Sequence, residues 1–446
     1  MIELVFSEAA FSSLSVDLLG GSTERCALIL AQEYVRSDNL KRLLVRSVEF
    51  PERSDYSRIG PTIAELKPEV VARYAKRARR DDCALIFAHS HPGSTPPRFS
   101  VADDRGEKRL AAFLSIRAPG RSHGALVVSQ GGVRARALGT ETEIRVVSLG
   151  ERRSILFDPI APRGDAVDGA FDRQVRAFGA RAQHILQGLH VAIVGLGGTG
   201  SIVCQQLTHL GVAAFTLIDP DTVESTNLNR LAGGSVGDIG RPKVDVAAEG
   251  IKRLTPHARV QVLRADVTRA SMARALTGVD LIFGCTDSHG SRAVLQQVAY
   301  QYYIPLIDMG VVIVARPPEI SHAFGRVQLL APGRACFTCS GLLDSEQVRR
   351  DMLTDAERRA DPYIVGHAEP APAVMSINGT VASLSVTMAL AVMADVPSKG
   401  RHLLYNALAS ALRTVGGSPD PHCYICSQDG ALARADSWPL FAREGE

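Results

Sequence analysis

The chain has 446 residues, 46% of them apolar and 22% charged, which is enough for two or three domains with cores of ordinary size. Its 50 Lys and Arg against 47 Asp and Glu leave a formal charge of +3, so composition gives no argument for nucleic acid or an anionic membrane as partner. Eight cysteines do not make a disulfide scaffold, and four of them fall as two C-x-x-C pairs, which suggests metal in a reducing compartment.

The first residues, MIELVFSEAAF, carry acids where a secretory signal needs positive charge, so a cytoplasmic location is expected. The pattern then predicts a short helix over 7–19, strands over 26–30 and 42–50, and a helix over 67–80. Arg73, Lys76, Arg77, Arg79 and Arg80 fall on the solvated face of that last helix. A strand over 84–88 leads into His89, a helix follows over 101–114, and strands over 125–128 and 133–138 close the region. Residues 1–150 therefore read as one α/β domain. Residues 151–168 hold Pro, Gly and charges without periodicity and read as a linker. From 169 to 446 strands alternate with longer helices, the pattern of a doubly wound, mostly parallel sheet.

His89-Ser-His91-Pro92 ends a predicted strand, so both imidazoles point to one side and can share a metal. Ser100-Val-Ala-Asp103 opens the next helix and offers Asp103 as a third ligand. Three protein ligands plus water is the open arrangement of a hydrolytic zinc. The same S-x-x-D is also a helix-capping box, and both readings stand on the residues alone. With Glu24 opening the strand at 25–30, this constellation resembles the JAB/MPN/JAMM zinc peptidases. The resemblance implies an α/β MPN fold with His89, His91 and Asp103 on zinc. It makes Glu24 the general base on the zinc-bound water and has Ser100 hold the tetrahedral intermediate. The implied substrate is a peptide or isopeptide bond just after a ubiquitin-like C-terminus. Asp103 is the twelfth residue after His91 and Asp104 the thirteenth, one more than the family's spacing for the first. A longer loop at Thr95-Pro96-Pro97 accounts for this, and Asp103 alone keeps the spacing from Ser100. A non-catalytic docking module is the alternative, marked by one zinc per chain instead of two.

Further on, an apolar strand over 190–194 runs into Gly195-Leu196-Gly197-Gly198-Thr199-Gly200. A helix over 201–210 follows, then a strand over 214–218 ending at Asp219, 24 residues after Gly195. Strand, G-x-G-x-x-G turn, helix and strand place backbone N–H groups and a helix N-terminus at a nucleotide. Alone, this fits an NAD-dependent oxidoreductase equally. Asp221, Asn227, Arg230 and Lys243, in IDPDTVESTNLNRL…GRPK, fit an enzyme that holds a whole triphosphate and stabilises displacement at its α-phosphate. Cys285-Thr-Asp287…Arg292 follows a strand over 279–283, which places the Asp287 carboxylate for a magnesium ion.

Over about 171–426 this order of motifs resembles the ThiF-type family of ubiquitin-activating and molybdopterin-synthase adenylyltransferases. The resemblance implies ATP and Mg2+ as cofactors, with the glycine loop, Asp219 and Asp221 around the nucleoside. Asp219 takes the ribose, Asn227, Arg230 and Lys243 the phosphates, and Asp287 the magnesium. Arg173, of the Arg173-Gln174 pair, reaches into the partner's site, which implies a homodimer. The implied reaction joins the C-terminal carboxylate of a small ubiquitin-like, β-grasp protein ending in glycine to AMP and releases pyrophosphate.

Cys336-x-x-Cys339 and Cys423-x-x-Cys426 offer four thiolates for a closed, structural zinc, though their separation is longer than a zinc ribbon's. The ThiF-type family carries the same pairs, and a β-rich extension is expected between them. Two zinc ions per chain, one catalytic and one structural, follow from the two resemblances. No cysteine lies between Cys339 and Cys423, where relatives that form a thioester place their nucleophile. Cys204 and Cys285 read as core thiols. The acyl acceptor is therefore expected on a partner, such as a conjugating enzyme or a sulfur donor, with an oxyester on Ser or Thr within 340–380 as the weaker option. The apolar stretch 380–396 reads as a buried helix too short to span a bilayer. Both activities address one C-terminus, so the expected enzyme processes and activates a ubiquitin-like protein. Adenylation of a sulfur carrier or of a small peptide are the alternatives.

Overall fold

The computed structural model describes residues 1–160, 167–354, 357 and 371–444. Backbone contacts divide the chain into two units, the first carried mainly by Met1–Arg163 and the second by Gly164–Tyr300 and Ile304–Gly430.

The first unit contains β1 (Ile2–Ser7), α1 (Glu8–Leu19), β2 (Cys26–Val35), β3 (Lys41–Glu49), β4 (Tyr56–Gly60), β5 (Ile63–Leu66) and α2 (Pro68–Arg80). It continues through β6 (Cys83–Ser90), α3 (Val101–Arg117), β7 (Gly124–Ser129), β8 (Gly132–Ala137), β9 (Glu143–Leu149) and β10 (Arg153–Phe157). The strand order is β1-β3-β2-β6-β7-β8-β9-β10, and a further parallel pairing of β1 with β9 closes seven strands on themselves. Closure leaves those strands no free edge to pair with another chain. Alternation along β2 sends Ile29 and Ala31 to the core under α1, while Leu28 and Leu30 pack with α2 and α3. Both faces of this strand are covered, which is why CALILA reads as a continuous apolar run.

Three strands depart from the expected elements. Ile2–Ser7 is a strand that runs without a break into α1, and Glu143–Leu149 is a strand where none was expected. Arg153–Phe157, expected to be linker, pairs antiparallel with β9. The described part of the expected linker beyond β10 contains no strand.

The second unit contains α4 (Asp172–Gly188), β11 (His190–Val194), α5 (Gly200–His209), β12 (Ala214–Ile218), α6 (Lys243–Leu254), β13 (Arg259–Leu263), α7 (Ala270–Ala275), β14 (Leu281–Gly284) and α8 (His289–Gln301). β15 (Leu306–Arg316), β16 (Glu319–Leu330), α9 (Ser345–Asp351), α10 (Met375–Met393), β17 (His402–Asn406) and β18 (Ala411–Thr414) follow. The order β13-β12-β11-β14-β15-β16-β17-β18 is parallel from β13 to β15 and antiparallel beyond. The switch in chain direction of travel lies between β11 and β14, the position at which open α/β sheets bind ligands.

Between the two cysteine pairs the described residues hold α9 and α10 besides two short strands, so the expected β-rich extension is largely helical. α10 starts five residues before the expected helix. With 19 residues and a mean hydropathy of 1.5, it is long and apolar enough to cross a membrane, contrary to the expectation from 380–396. In the fold Val381, Ala382, Val386 and Ala389 pack into the core shared with Ile202, Met309 and Val327. Only part of the interval 340–380, weighed for an oxyester, falls within the described residues.

His123 fixes the start of β6 and the end of α3. Its Nδ1 accepts from the Leu85 amide at 3.0 Å, and its Nε2 lies 2.7 Å from the Ala118 carbonyl. Only the neutral ring can accept at Nδ1 while donating from Nε2. Burial pushes the imidazole below its ordinary value. The unfolded chain then binds the proton more tightly, so the contribution is full above the unfolded value of about 6.5 and is lost as pH falls below it. A His123→Gln variant, whose carboxamide offers the same donor and acceptor, is expected to melt with a shallower pH dependence between about pH 7 and 5 than the wild type. Parallel melting curves across that range would remove this role.

Candidate functional site

In the first unit, β6 carries His89 and His91 to its end, and the N-terminus of α3 brings Asp103 against them. The two Nε2 atoms lie 3.1 Å apart. Asp103 Oδ1 is 3.3 Å from His89 Nε2, and Oδ2 is 3.6 Å from His91 Nε2. All three donors lie within 4.8 Å of one another, and two imidazoles with one carboxylate suit a zinc ion that keeps a coordination position open. The capping box forms while its carboxylate still faces the histidines. Asp103 N donates to Ser100 Oγ at 3.2 Å, and Ser100 N donates to Asp103 Oδ2 at 2.6 Å. The capping box thus orients the carboxylate that faces the histidines. Both imidazoles hold the Asp103 carboxyl far below its ordinary value against the opposing effect of burial, and Asp103 in turn raises His91.

Glu24 stands just before β2, its amide donating to the Gly60 carbonyl at 2.9 Å and its Oε1 4.0 Å from His91 Nε2. It is adjacent to the three donors without being one of them. Burial raises its carboxyl above the ordinary value, partly offset by the two histidines. Asp104 turns away: its Oδ1 accepts from Arg136 Nη2 at 2.6 Å. The structure therefore selects Asp103 over Asp104 as the residue that faces the histidines. The long loop before α3 is fastened at its middle, where Ser129 Oγ donates to the Thr95 carbonyl at 2.7 Å. A Cβ at Gly131 would lie 2.4 Å from the Ser94 carbonyl oxygen, so that loop packs directly on the turn between β7 and β8.

In the second unit, β11 ends in the glycine turn. Gly195 has φ +88°, a conformation that favours glycine, and a Cβ on Gly200 would sit 1.9 Å from the Gly195 carbonyl oxygen. Gly197 faces open space, while Gly198 lies under the Asn378 carboxamide and the Arg230 side chain. Asp219 is 4% exposed, and its two oxygens accept from the amides of Leu196 at 2.6 Å and Asp221 at 2.8 Å. Much of its acceptor capacity therefore braces the turn and the loop after β12. Burial raises its carboxyl. Asp221 is the exposed acid of the pair, and its Oδ2 accepts from Lys243 Nζ at 2.7 Å. A cavity of about 360 Å³ has Leu196, Ser201, Leu231 and Lys243 among its lining residues.

The remaining predicted residues are placed less directly. Asn227 caps a short 3-10 turn, its Oδ1 accepting from the Glu224 amide at 3.3 Å, and Arg230 Nη1 donates to the Thr226 carbonyl at 2.9 Å. Asp287 is exposed in the loop after β14. Arg292 holds that loop, donating to the carbonyl oxygens of Thr286 at 2.9 Å and Asp287 at 3.4 Å, and to Asp308 Oδ1 at 3.4 Å. Arg326 also pairs with the fully buried Asp308. Arg173 is exposed near the start of α4, ahead of a bend at Gly179, whereas Gln174 donates to the His209 carbonyl at the end of α5. Asn378 and the Arg292–Asp308 pair are additions to the expected residues. An asparagine inside the apolar run MSINGTVASL was the one available signal for the first.

Cys336, Cys339, Cys423 and Cys426 converge, with Sγ separations of 3.7, 3.5 and 3.5 Å for the pairs 336–339, 336–423 and 339–426. A tetrahedral ion with Zn–S bonds of about 2.3 Å requires sulfur separations near 3.8 Å, so this donor set fits zinc. Hydrogen bonding from neighbouring thiols holds Cys336 down at about 5. By contrast, burial pushes the Cys204 thiol up to about 12 and Cys285 well above the ordinary range, which suits core thiols and not nucleophiles. Cys339→Ser is expected to lower the zinc content by one ion per chain and to lower the melting temperature of the second unit. Unchanged zinc by elemental analysis would contradict the site.

A profile of the ThiF family matches residues 171–425, and one of the prokaryotic homologs of the JAB domain matches residues 18–138. The chain is similar to molybdopterin-synthase adenylyltransferase of Escherichia coli (strain K12), 27% identical over 264 residues that cover 58% of this chain and 96% of the relative. It is also similar to SAMP-activating enzyme E1 of Haloferax volcanii, 26% identical over 280 residues covering 62% and 88%. Ubiquitin-like modifier-activating enzyme 5 of Oryza sativa subsp. japonica is 29% identical over 254 residues covering 52% and 54%. The chain belongs to the ThiF family, and it joins that domain to an N-terminal JAB domain.

Proposed function

We propose that the protein adenylates the C-terminal carboxylate of a small ubiquitin-like or sulfur-carrier protein with ATP, and that its JAB domain cleaves the bond after that same C-terminus. The carrying observation is the cluster at the glycine turn. Asp219 accepts from the Leu196 amide of the turn and from the Asp221 amide, Asp221 holds Lys243 beside it, and Arg230 reaches Gly198. This cluster supports a reaction in which a carboxylate oxygen attacks the α-phosphorus and pyrophosphate leaves. Lys243 and Arg230 stabilise the phosphate oxygens and the glycine-turn amides orient them; the exposed Asp287 would hold a magnesium ion, which would supply further neutralisation of the phosphate charge. Arg173, exposed ahead of the Gly179 bend, serves the site of a partner copy in a homodimer.

In the JAB domain, His89, His91 and Asp103 would hold a zinc ion, which supplies an activated water when bound. Glu24, raised by burial and 4.0 Å from His91, is the carboxylate placed to accept a proton beside these donors and to return it to the leaving amine. Ser100, exposed at the start of α3, orients the reacting carbonyl oxygen. Fusion raises the effective concentration of the trimmed carboxylate for the second reaction. The lack of any cysteine between Cys339 and Cys423 favours an acceptor on a separate protein, a conjugating enzyme or a sulfur donor, in the cytoplasm.

The test is an intact-mass measurement of what co-purifies with a Glu24→Ala variant in its own host. A small protein whose terminal glycine is followed by a tail, or joined to another protein, supports the peptidase reading. ATP–pyrophosphate exchange dependent on that trimmed protein supports activation. Exchange driven by a free peptide, with no small protein recovered, moves the assignment to peptide adenylation.

A further inference from the structure

A single buried guanidinium grips the helix turn that presents the third metal-facing residue. Arg136, on β8, has a side chain 8% exposed. It donates to Glu107 twice, from Nε to Oε2 at 3.0 Å and from Nη2 to Oε1 at 2.9 Å. Its Nη2 also donates to Asp104 Oδ1 at 2.6 Å. The guanidinium carbon stands 3.9 Å from the centroid of the Phe99 ring. Phe99, Asp104 and Glu107 immediately precede the cap, follow Asp103, and lie one turn further along α3. One planar cation therefore fixes the entry, the first turn and the second turn of the helix whose third residue is Asp103. Phe99 carries the contact onward, since its ring lies 6.5 Å from that of His89.

We propose that Arg136 is the positioning residue of the histidine–aspartate centre: it sets where Asp103 stands relative to His89 and His91, without itself touching the ligand atoms. The proposal rests on the reading of that centre as a metal site. The geometry explains why a buried charge is retained on β8. An apolar residue would fill the volume, but it would leave Glu107, with a side chain 6% exposed, without its cation. Lysine offers a point charge and cannot place two parallel bonds on Glu107, a third on Asp104 and a flat face on Phe99 at once.

The experiment uses the full chain, stripped of metal and titrated with Co2+, whose d–d absorption reports ligand geometry. The thiolate charge-transfer bands of the four-cysteine site serve as an internal control. In Arg136→Lys, Co2+ affinity at the first unit is expected to fall about 10- to 100-fold with an altered d–d spectrum, while the thiolate bands are unchanged. Asp104→Asn, at a half-exposed position that leaves the Glu107 pair intact, is expected to give a smaller loss in the same direction. Wild-type affinity and spectrum in both variants, even with a lowered melting temperature, would make Arg136 a packing residue only and overturn the proposal. If the wild-type chain binds Co2+ at the cysteines alone, the metal-site reading itself fails, and the proposal falls with it.

Discussion

Lys243→Ala is expected to lower ATP–pyrophosphate exchange by about two to three orders of magnitude, the loss seen when one donor to a developing oxyanion is removed. The side chain is 10% exposed, is tethered to Asp221 at 2.7 Å and begins α6, so the cation is in place before any ligand arrives. A preorganised, tethered charge acts more strongly on a transition state than a flexible surface lysine does. On the proposed placement of the phosphates, alanine also leaves Asp221 without its lysine, which adds repulsion to the lost attraction. Arginine should not restore the rate, because its planar fork does not fit the volume of a compact ammonium. Asp221→Asn separates the two effects: it frees the lysine while removing the negative charge, and a loss well below that of Lys243→Ala is expected. Should Lys243→Ala reduce exchange less than tenfold, the lysine would not be acting on the phosphates.

Glu24→Gln is expected to reduce cleavage by the JAB domain by about two to four orders of magnitude, the usual contribution of a positioned general base. The exchange is isosteric and keeps a hydrogen-bonding oxygen, so it removes proton transfer with little change in packing. Metal content should stay at the wild-type value, because the three converging donors are His89, His91 and Asp103. Loss of metal together with activity would make Glu24 a ligand instead of a base. The measurement is cleavage of a glycine-terminated fusion of the co-purified small protein, read alongside zinc per chain.

The parts of both sites that were legible in the sequence are those whose chemistry needs residues at fixed local spacing. His89 and His91 alternate along a strand, and Ser100 and Asp103 stand three apart because one turn of helix begins there. The choice of Asp103 over Asp104 followed from that turn, and the structure places the second acid on Arg136. The glycine turn and Asp219 were legible for the same reason, being consecutive pieces of one strand–helix–strand unit. Exposure was not: the sequence could not show that Asp219 is buried in bracing the turn while Asp221 faces outward. Pairings distant in the chain carry no local mark either. Arg136 meets Glu107 across 29 residues, and Asn378 reaches Gly198 from a position just ahead of the helix expected over 380–396. β1 and β10 were missed because each lies beside a stronger signal, the helix after Ser7 and the Pro- and Gly-rich tract after Phe157.

The closed circuit of seven strands also constrains how the first unit is made. Within this unit β1 is made before both of its partners, β3 and β9, which end at Glu49 and Leu149. Until β9 has been made, the nascent chain therefore carries an apolar strand, Leu4-Val5-Phe6, with at least one side unpaired. Such long-range pairing forms slowly and leaves an adhesive edge exposed in the meantime. The unit reaches its final form only when β9 has emerged, so the timing of synthesis, and not strand pairing alone, sets how long that edge stays open.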